Sequence, residues 1–438
     1  MSAVLFLLAG MFADVPHWPG FLGAGATVVS LESIPLTWSP TQNIAWKSEI
    51  PGYGQSSPVV WGDRVFVTSV EGENKETLHV VCYSLKSGEK LWGHSTLSTN
   101  PEANSVYISR AAPTAVVDQD RVYAYFEGGD VVALTHAGEK VWTRSLTADY
   151  GKPTNKFGVS GSPVQTADRI FILIDDPGPS YLVALDKAAG TVAWKMDRTS
   201  RQSWSSPTVI TTGDTTQIVC SSAGSVDGYD ALDGRLLWTY ADVGGNTGTT
   251  PLPAGDGSFL LAASPGREGA NTEKAKESNG LMTIKKTGDQ WVPSFAWKTD
   301  AATPSWASPM AYAGHAYWIN RTGVVYCFDV ATGKNVYTER IAQSAWATPV
   351  GIGDRLYVFG KDGLTTVLAT GPEFKVLGIN ELWTADAPPV NRVPSAPETT
   401  AERQQSVAMF GKPTLYGVAI VEGHIVLRTG SQLFCVRQ

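Results

Sequence analysis

The sequence predicts an all-β fold, a single eight-bladed β-propeller built of four-stranded blades. Three patterns point to it. A Gly stands four residues before a large aromatic at five places. A small residue followed by Pro recurs seven times, at spacings of 55, 50, 44, 44, 58 and 40 residues. A β-rich run headed by Asp-Arg follows four of those prolines.

The first pattern reads as a hairpin. It runs Gly88 to Trp92, Gly138 to Trp142, Gly190 to Trp194, Gly234 to Trp238 and Gly333 to Tyr337. Upstream lie strand ends such as Ala184-Leu185-Asp186, Tyr229-Asp230-Ala231 and Cys327-Phe328-Asp329. A half-buried strand ends, Asp or Lys opens the turn, Gly supplies a positive φ, and the next strand buries its aromatic. Trp92, Trp142, Trp194 and Trp238 are therefore expected to pack blade against blade.

The second pattern marks strand entry. It occurs at Ser57-Pro58, Ala112-Pro113, Ser162-Pro163, Ser206-Pro207, Thr250-Pro251, Ser308-Pro309 and Thr348-Pro349. Pro at the first position of a strand removes no ladder donor. The third pattern, Asp63-Arg64, Asp120-Arg121, Asp168-Arg169 and Asp354-Arg355, reads as an exposed turn leading into a buried strand. Four strands every 40 to 60 residues is about the period of a propeller blade.

Seven units are marked by Pro. An eighth, Val418–Ile420, His424–Leu427 and Gln432–Val436, lacks its Trp strand. Asn43-Ile44-Ala45-Trp46-Lys47 is a Trp strand lacking a blade. Joining the two closes the ring and removes open sheet edges. The propeller is placed over 43–438, after an extension at 14–42. The apolar run over 1–13 is shorter than the ~20 residues of a membrane span. It reads as a secretory signal or an apolar leader, hence an exported, periplasmic or extracellular chain without a transmembrane span.

Composition agrees. The chain has 44 Gly, 26 Pro and 15 Trp, and only 17% charged residues, against a usual ~25%. A net charge of −7 argues against nucleic acid, which needs a basic surface. Polar stretches at 265–280 and 387–412 are expected as surface loops. Cys82, Cys220, Cys327 and Cys435 lie in apolar runs and read as buried free thiols. A monomer is expected.

The hairpin from Tyr326 to Tyr337 resembles the tryptophan-docking repeat of pyrroloquinoline quinone (PQQ) enzymes and their relatives, roughly A-x-D-x-x-T-G-K-x-x-W. Ala184 to Trp194 is a second match, and Trp18-Pro19-Gly20-Phe21-Leu22-Gly23 with Trp46-Lys47 is similar to the start of exported PQQ-like proteins. The resemblance covers nearly all of 43–438. It implies the propeller fold and includes both quinoprotein dehydrogenases and the outer-membrane assembly lipoprotein of the BamB type. The dehydrogenases carry Ca²⁺, a catalytic Asp and, in many, a disulfide between adjacent cysteines. This chain has no adjacent cysteines and is shorter. Asp175-Asp176 precede Pro177-Gly178-Pro179 and read as a strand-connecting turn.

No catalytic residue, metal ligand or cofactor is predicted, although PQQ with calcium stays open as an alternative. The six histidines are scattered, and there is no nucleophile elbow or phosphate loop. The best signal is positional. Three residues before each Pro stand Gln55, Arg110, Ser160, Trp204, Gly248, Trp306 and Trp346. In a propeller these ring one mouth of the central channel. The Trp residues there either stack a flat or sugar-like ligand or pack against the neighbouring blade. The sequence favours a non-catalytic binding or scaffold module of the cell envelope, with an envelope protein, small ligand or glycan as partner. A quinoprotein oxidoreductase and a carbohydrate-binding or carbohydrate-acting propeller are the alternatives.

Overall fold

A computed structural model describes residues 15–23, 29–265, 272–392, 398, 400, 401, 404, 407 and 411–438. The leader read at 1–13 lies outside them.

Eight antiparallel sheets form the blades. Blade 1 holds Val59–Trp61, Arg64–Glu71, Thr77–Ser84 and Lys90–Leu97. Blades 2 to 7 repeat this order up to Val376–Glu381. Blade 8 joins Gly417–Val421, His424–Arg428 and Gln432–Val436 to Ile44–Glu49 from the other end of the chain. Trp46 pairs with Cys435 and Lys47 with Phe434, so the closure expected from the repeat is the one observed. Among the described residues no helix is long and apolar enough to cross a membrane.

The docking tryptophans tie each blade to the next. Trp46 Nε1–H donates to Leu85 O at 2.8 Å, Trp92 to His136 O at 2.9 Å and Trp142 to Lys187 O at 2.9 Å. Trp194 donates to Ala231 O at 3.2 Å and Trp297 to Val330 O at 2.9 Å. Each indole lies on the turn Gly of the following blade. A Cβ on Gly190, where φ is +70°, would come 2.5 Å from Trp142 Cδ2. The Gly thus supplies both the positive φ and the flat seat for the ring. Trp238 differs. It stacks on Phe259 of blade 5, but its Nε1–H donates to Gln217 Oε1 of its own blade, at 2.7 Å. Blade 5 instead forms the long hairpin Gly280–Thr287 and Gln290–Lys298, whose turn Gly288, at φ +60°, has no atom within 4 Å of its Cβ position and so does not receive the indole. The Asp-Arg turns also reach across blades: Arg121 Nη1 donates to Lys187 O at 2.7 Å and Ala188 O at 3.1 Å.

A second set of ties circles the channel. Ser57 N–H donates to Thr114 Oγ1, Thr114 N–H to Ser162 Oγ, Ser162 N–H to Ser206 Oγ and Ser206 N–H to Thr250 Oγ1, all at 2.8–3.1 Å. Thr250 N–H continues to Ser308 Oγ and Ser308 N–H to Thr348 Oγ1, both at 3.0 Å. The residue before each Pro is thus more than a strand entry. At Ser162, Ser206, Thr250, Ser308 and Thr348 its hydroxyl accepts a buried backbone N–H of the preceding blade, a group that would be expensive to leave unpaired. Ala112 has no hydroxyl, and Thr114 supplies it instead.

Residues before the first blade plug the ring. His17–Trp18 pairs antiparallel with Val60 and Trp61, adding a fifth strand inside the innermost strand of blade 1. Pro19 O accepts the N–H of Val117 at 2.9 Å, reaching blade 2. Further on, Asn380 Oδ1 accepts Trp38 N–H and its Nδ2–H₂ donates to Leu36 O, which fixes residues 36–38 to blade 7.

The two polar stretches are more anchored than surface loops need be. Residues Thr272–Lys276 form a helical turn whose Ala275 is buried. Asn279 is also buried, exchanging hydrogen bonds with Ala263 N and O. That part of 265–280 belongs to the body of blade 5, which corrects the expectation. In the other stretch, Arg392 reaches Glu49 and Ile50 O, both at 2.6 Å. Glu398 accepts Val106 N–H at 3.1 Å. The remaining residues of both stretches lie outside those described.

Candidate functional site: a blind cavity at the channel mouth

The innermost strands surround a cavity of about 1510 Å³, larger than the ~300–1,000 Å³ of a usual small-molecule cleft. Trp18, Phe21, Leu22 and Val29 line it. Trp18 pairs with Val60, after Pro58 in the innermost strand, whereas Gln55 stands before it, so these plug residues line the cavity at the end opposite the mouth, as its floor.

Gln55, Ser160, Trp204, Trp306 and Trp346 all line this cavity; Arg110 does not. Arg110 is wholly buried, its guanidinium carbon 3.6 Å from the centre of the Tyr53 ring. None of its side-chain nitrogens has a hydrogen-bond partner. Its backbone holds Gln55 in place: Arg110 N–H donates to Gln55 Oε1 at 2.9 Å, and Arg110 O accepts Gln55 N–H at 3.0 Å. The three-residue spacing places the Cα near the mouth. It does not set where a long side chain turns.

The tryptophans both pack and face the cavity. Trp306 and Trp346 stack on each other, with ring centres 4.3 Å apart and 23° between planes. Both are half-buried. Tyr416 meets Trp346 edge-on, and its hydroxyl lies 2.9 Å from that of Tyr53. Burial raises the Tyr53 phenol far above its ordinary value. Trp204 is separately fixed: its Nε1–H donates to Gly158 O at 3.1 Å, and its ring meets Phe157 edge-on.

Sequence reasoning missed Phe157, Tyr416 and the plug floor, because no repeat unit carries them. It also missed the hydroxyl ring, although Ser or Thr before six of the seven prolines was a readable signal.

The chemistry of the wall is restricted. Among its described residues there is no Asp, Glu, His, Cys or Arg. Its one charged side chain, Lys274, pairs with Asp242. Ca²⁺ requires six to eight oxygen ligands, including carboxylates, and no cluster of three or more His, Cys, Asp or Glu among the described residues could hold a metal. The wall therefore does not fit a calcium-bound quinone. The paired acids lie elsewhere and are used structurally. Asp175 takes a buried salt bridge from Arg198 Nε at 2.7 Å, and Asp176 accepts the N–H groups of Thr154, Asn155 and Gly178.

The family match follows this geometry. The family model described as outer membrane protein assembly factor BamB matches residues 36–174, 79–266 and 293–430. The chain belongs to this PQQ-like β-propeller family. A polyvinylalcohol dehydrogenase from Pseudomonas sp. is 24% identical over 203 residues, 42% of this chain and 30% of that protein. The match thus spans under a third of that relative's length. Two solved structures share the fold. BamB from Moraxella catarrhalis has a TM-score of 0.58 at 12% identity, covering 90% of this chain and 97% of that one. Quinohemoprotein alcohol dehydrogenase from Comamonas testosteroni has a TM-score of 0.59 at 11% identity, covering 97% and 81%. Proteins that share this fold thus include BamB and a quinohemoprotein alcohol dehydrogenase.

The four cysteines of this PQQ-like propeller are free and buried. Burial pushes each thiol up to about 12. At pH 8 only on the order of one in ten thousand is thiolate, the reactive form. A colorimetric thiol reagent is expected to find no fast-reacting thiol in the folded protein and four after denaturation. A fast-reacting native thiol would contradict the buried placement.

Proposed function

We propose that this chain is an exported, non-catalytic binding propeller of the cell envelope that takes its ligand in the blind cavity. The single observation that carries this reading is the wall itself. It offers aromatic faces, hydroxyls and two amides, but no carboxylate, imidazole or thiol among its described residues, and its one lysine is paired with Asp242, so it lacks the groups most often used for general acid–base work. The family match to BamB supports an envelope role with a protein partner. The dehydrogenase relative favours a second reading, a quinoprotein oxidoreductase.

One experiment separates the two. Purified protein is incubated with PQQ and Ca²⁺, desalted, and assayed with an electron-accepting dye and ethanol, glucose or polyvinyl alcohol. The expected result is no retained quinone absorbance and no dye reduction. Retained quinone with turnover overturns the binding reading.

A further inference from the structure

Resting on that cavity-binding reading, we infer that the ligand is a neutral polyhydroxylated chain, a glycan, held by its terminus. Three independent features point there.

The first is charge. A cationic ligand needs carboxylates and an anionic one needs free cations, and the described wall has neither. Lys274 is committed to Asp242. Arg110 is turned away beneath Tyr53.

The second is the pairing of aromatic faces with hydroxyls. A sugar ring presents an apolar C–H face and an edge of hydroxyls. The Trp306–Trp346 stack offers the flat surface for the first. The hydroxyl ring offers partners for the second. Ser162, Ser206, Thr250, Ser308 and Thr348 all line the cavity and are buried. Each accepts one backbone N–H. No described acceptor takes the proton of any of these five hydroxyls. They therefore form a ring of O–H donors fixed in place by bonds they already accept. Such donors discriminate strongly for a ligand that carries oxygen acceptors, because a ligand without them would leave the donors dry.

The third is the floor. Trp18, Phe21, Leu22 and Val29 line the lower end, so a polymer threading through would have to displace the plug. Only a chain end can enter, with its terminal sugar reaching the hydroxyl ring and the next lying on Trp306.

The test is a glycan array followed by titration calorimetry with the best neutral oligosaccharide. The probe is compared with the same sugar capped at one end or the other. Wild type is expected to bind neutral oligosaccharides, and capping one particular end is expected to abolish binding. Trp306→Ala is expected to weaken binding at least about tenfold, or ~1.4 kcal/mol, and Trp306→Tyr to retain it within a few-fold. Ser206→Ala removes one donor and is expected to weaken binding without changing the stacking. Thermal melts confirm that each variant is folded; if Trp306→Ala does not fold, the Trp306→Tyr and Ser206→Ala comparison and the capped sugars decide. If no neutral glycan binds but acidic glycans do, the ligand class is wrong while the cavity reading stands. If mid-chain glycans bind as well as free ends, terminus recognition is wrong. Quinone retention with turnover removes both readings together.

Discussion

Deletion of Ile44–Glu49 is expected to cost the protein its closed ring. These six residues are the outermost strand of blade 8. Without them Gln432–Val436 becomes an open edge, a template for pairing with other chains. The seam to blade 1 goes as well. Trp46 no longer reaches Leu85 O, and Ser48 Oγ–H no longer reaches Gly88 O at 2.5 Å. The expected outcome is aggregation or strand-exchanged oligomers in size-exclusion chromatography. Trp46→Ala is a milder control that keeps the strand but loses the anchor. It is expected to destabilise by about 3–5 kcal/mol, the usual range for truncating a buried aromatic, while remaining monomeric. A deletion variant that elutes as a monomer with an unchanged urea midpoint would show that the ring closes by other means.

The second large effect lies at a docking turn. Trp142→Ala removes a buried indole and its bond to Lys187 O, for an expected loss of about 3–5 kcal/mol in urea unfolding. Gly190→Ala attacks the same contact from the other side. It forces a side chain onto φ +70°, a penalty of about 1–2 kcal/mol, and drives a methyl into the indole. The double variant distinguishes contact from coincidence. With the indole gone the methyl has room, so the combined loss is expected to fall short of the sum. Strict additivity would mean that Trp142 does not rest on that turn in solution.

The architecture was legible because it is periodic. Gly138, Gly190 and their aromatics repeat a local requirement, and local requirements leave sequence marks. The closure was legible for the same reason, since a Trp strand at Trp46 without a blade can be matched to a blade without one. The site was only partly legible. Trp204, Trp306 and Trp346 face the cavity because backbone register goes far to set the direction of a rigid side chain with only two torsions. Arg110 escaped, since a flexible side chain chooses among neighbours that register does not specify. The plug escaped entirely. Residues such as Trp18 and Pro19 belong to no repeat, and their seat is defined only once blades 1 to 3 exist. Trp238 shows the limit from the other side, as its motif is intact but the turn it would meet has been replaced in blade 5.

The velcro seam also sets a timetable. Ile44–Glu49 emerges in synthesis before all seven complete blades, and its partner, Gln432–Val436, only after them. Long-range pairing of this kind is slow, because nearly the whole chain must be ordered before the contact forms. Until then the first strand waits unpaired, and the plug has no complete ring to fill. A chain that stops before Gln432–Val436 therefore leaves Ile44–Glu49 without its partner strand.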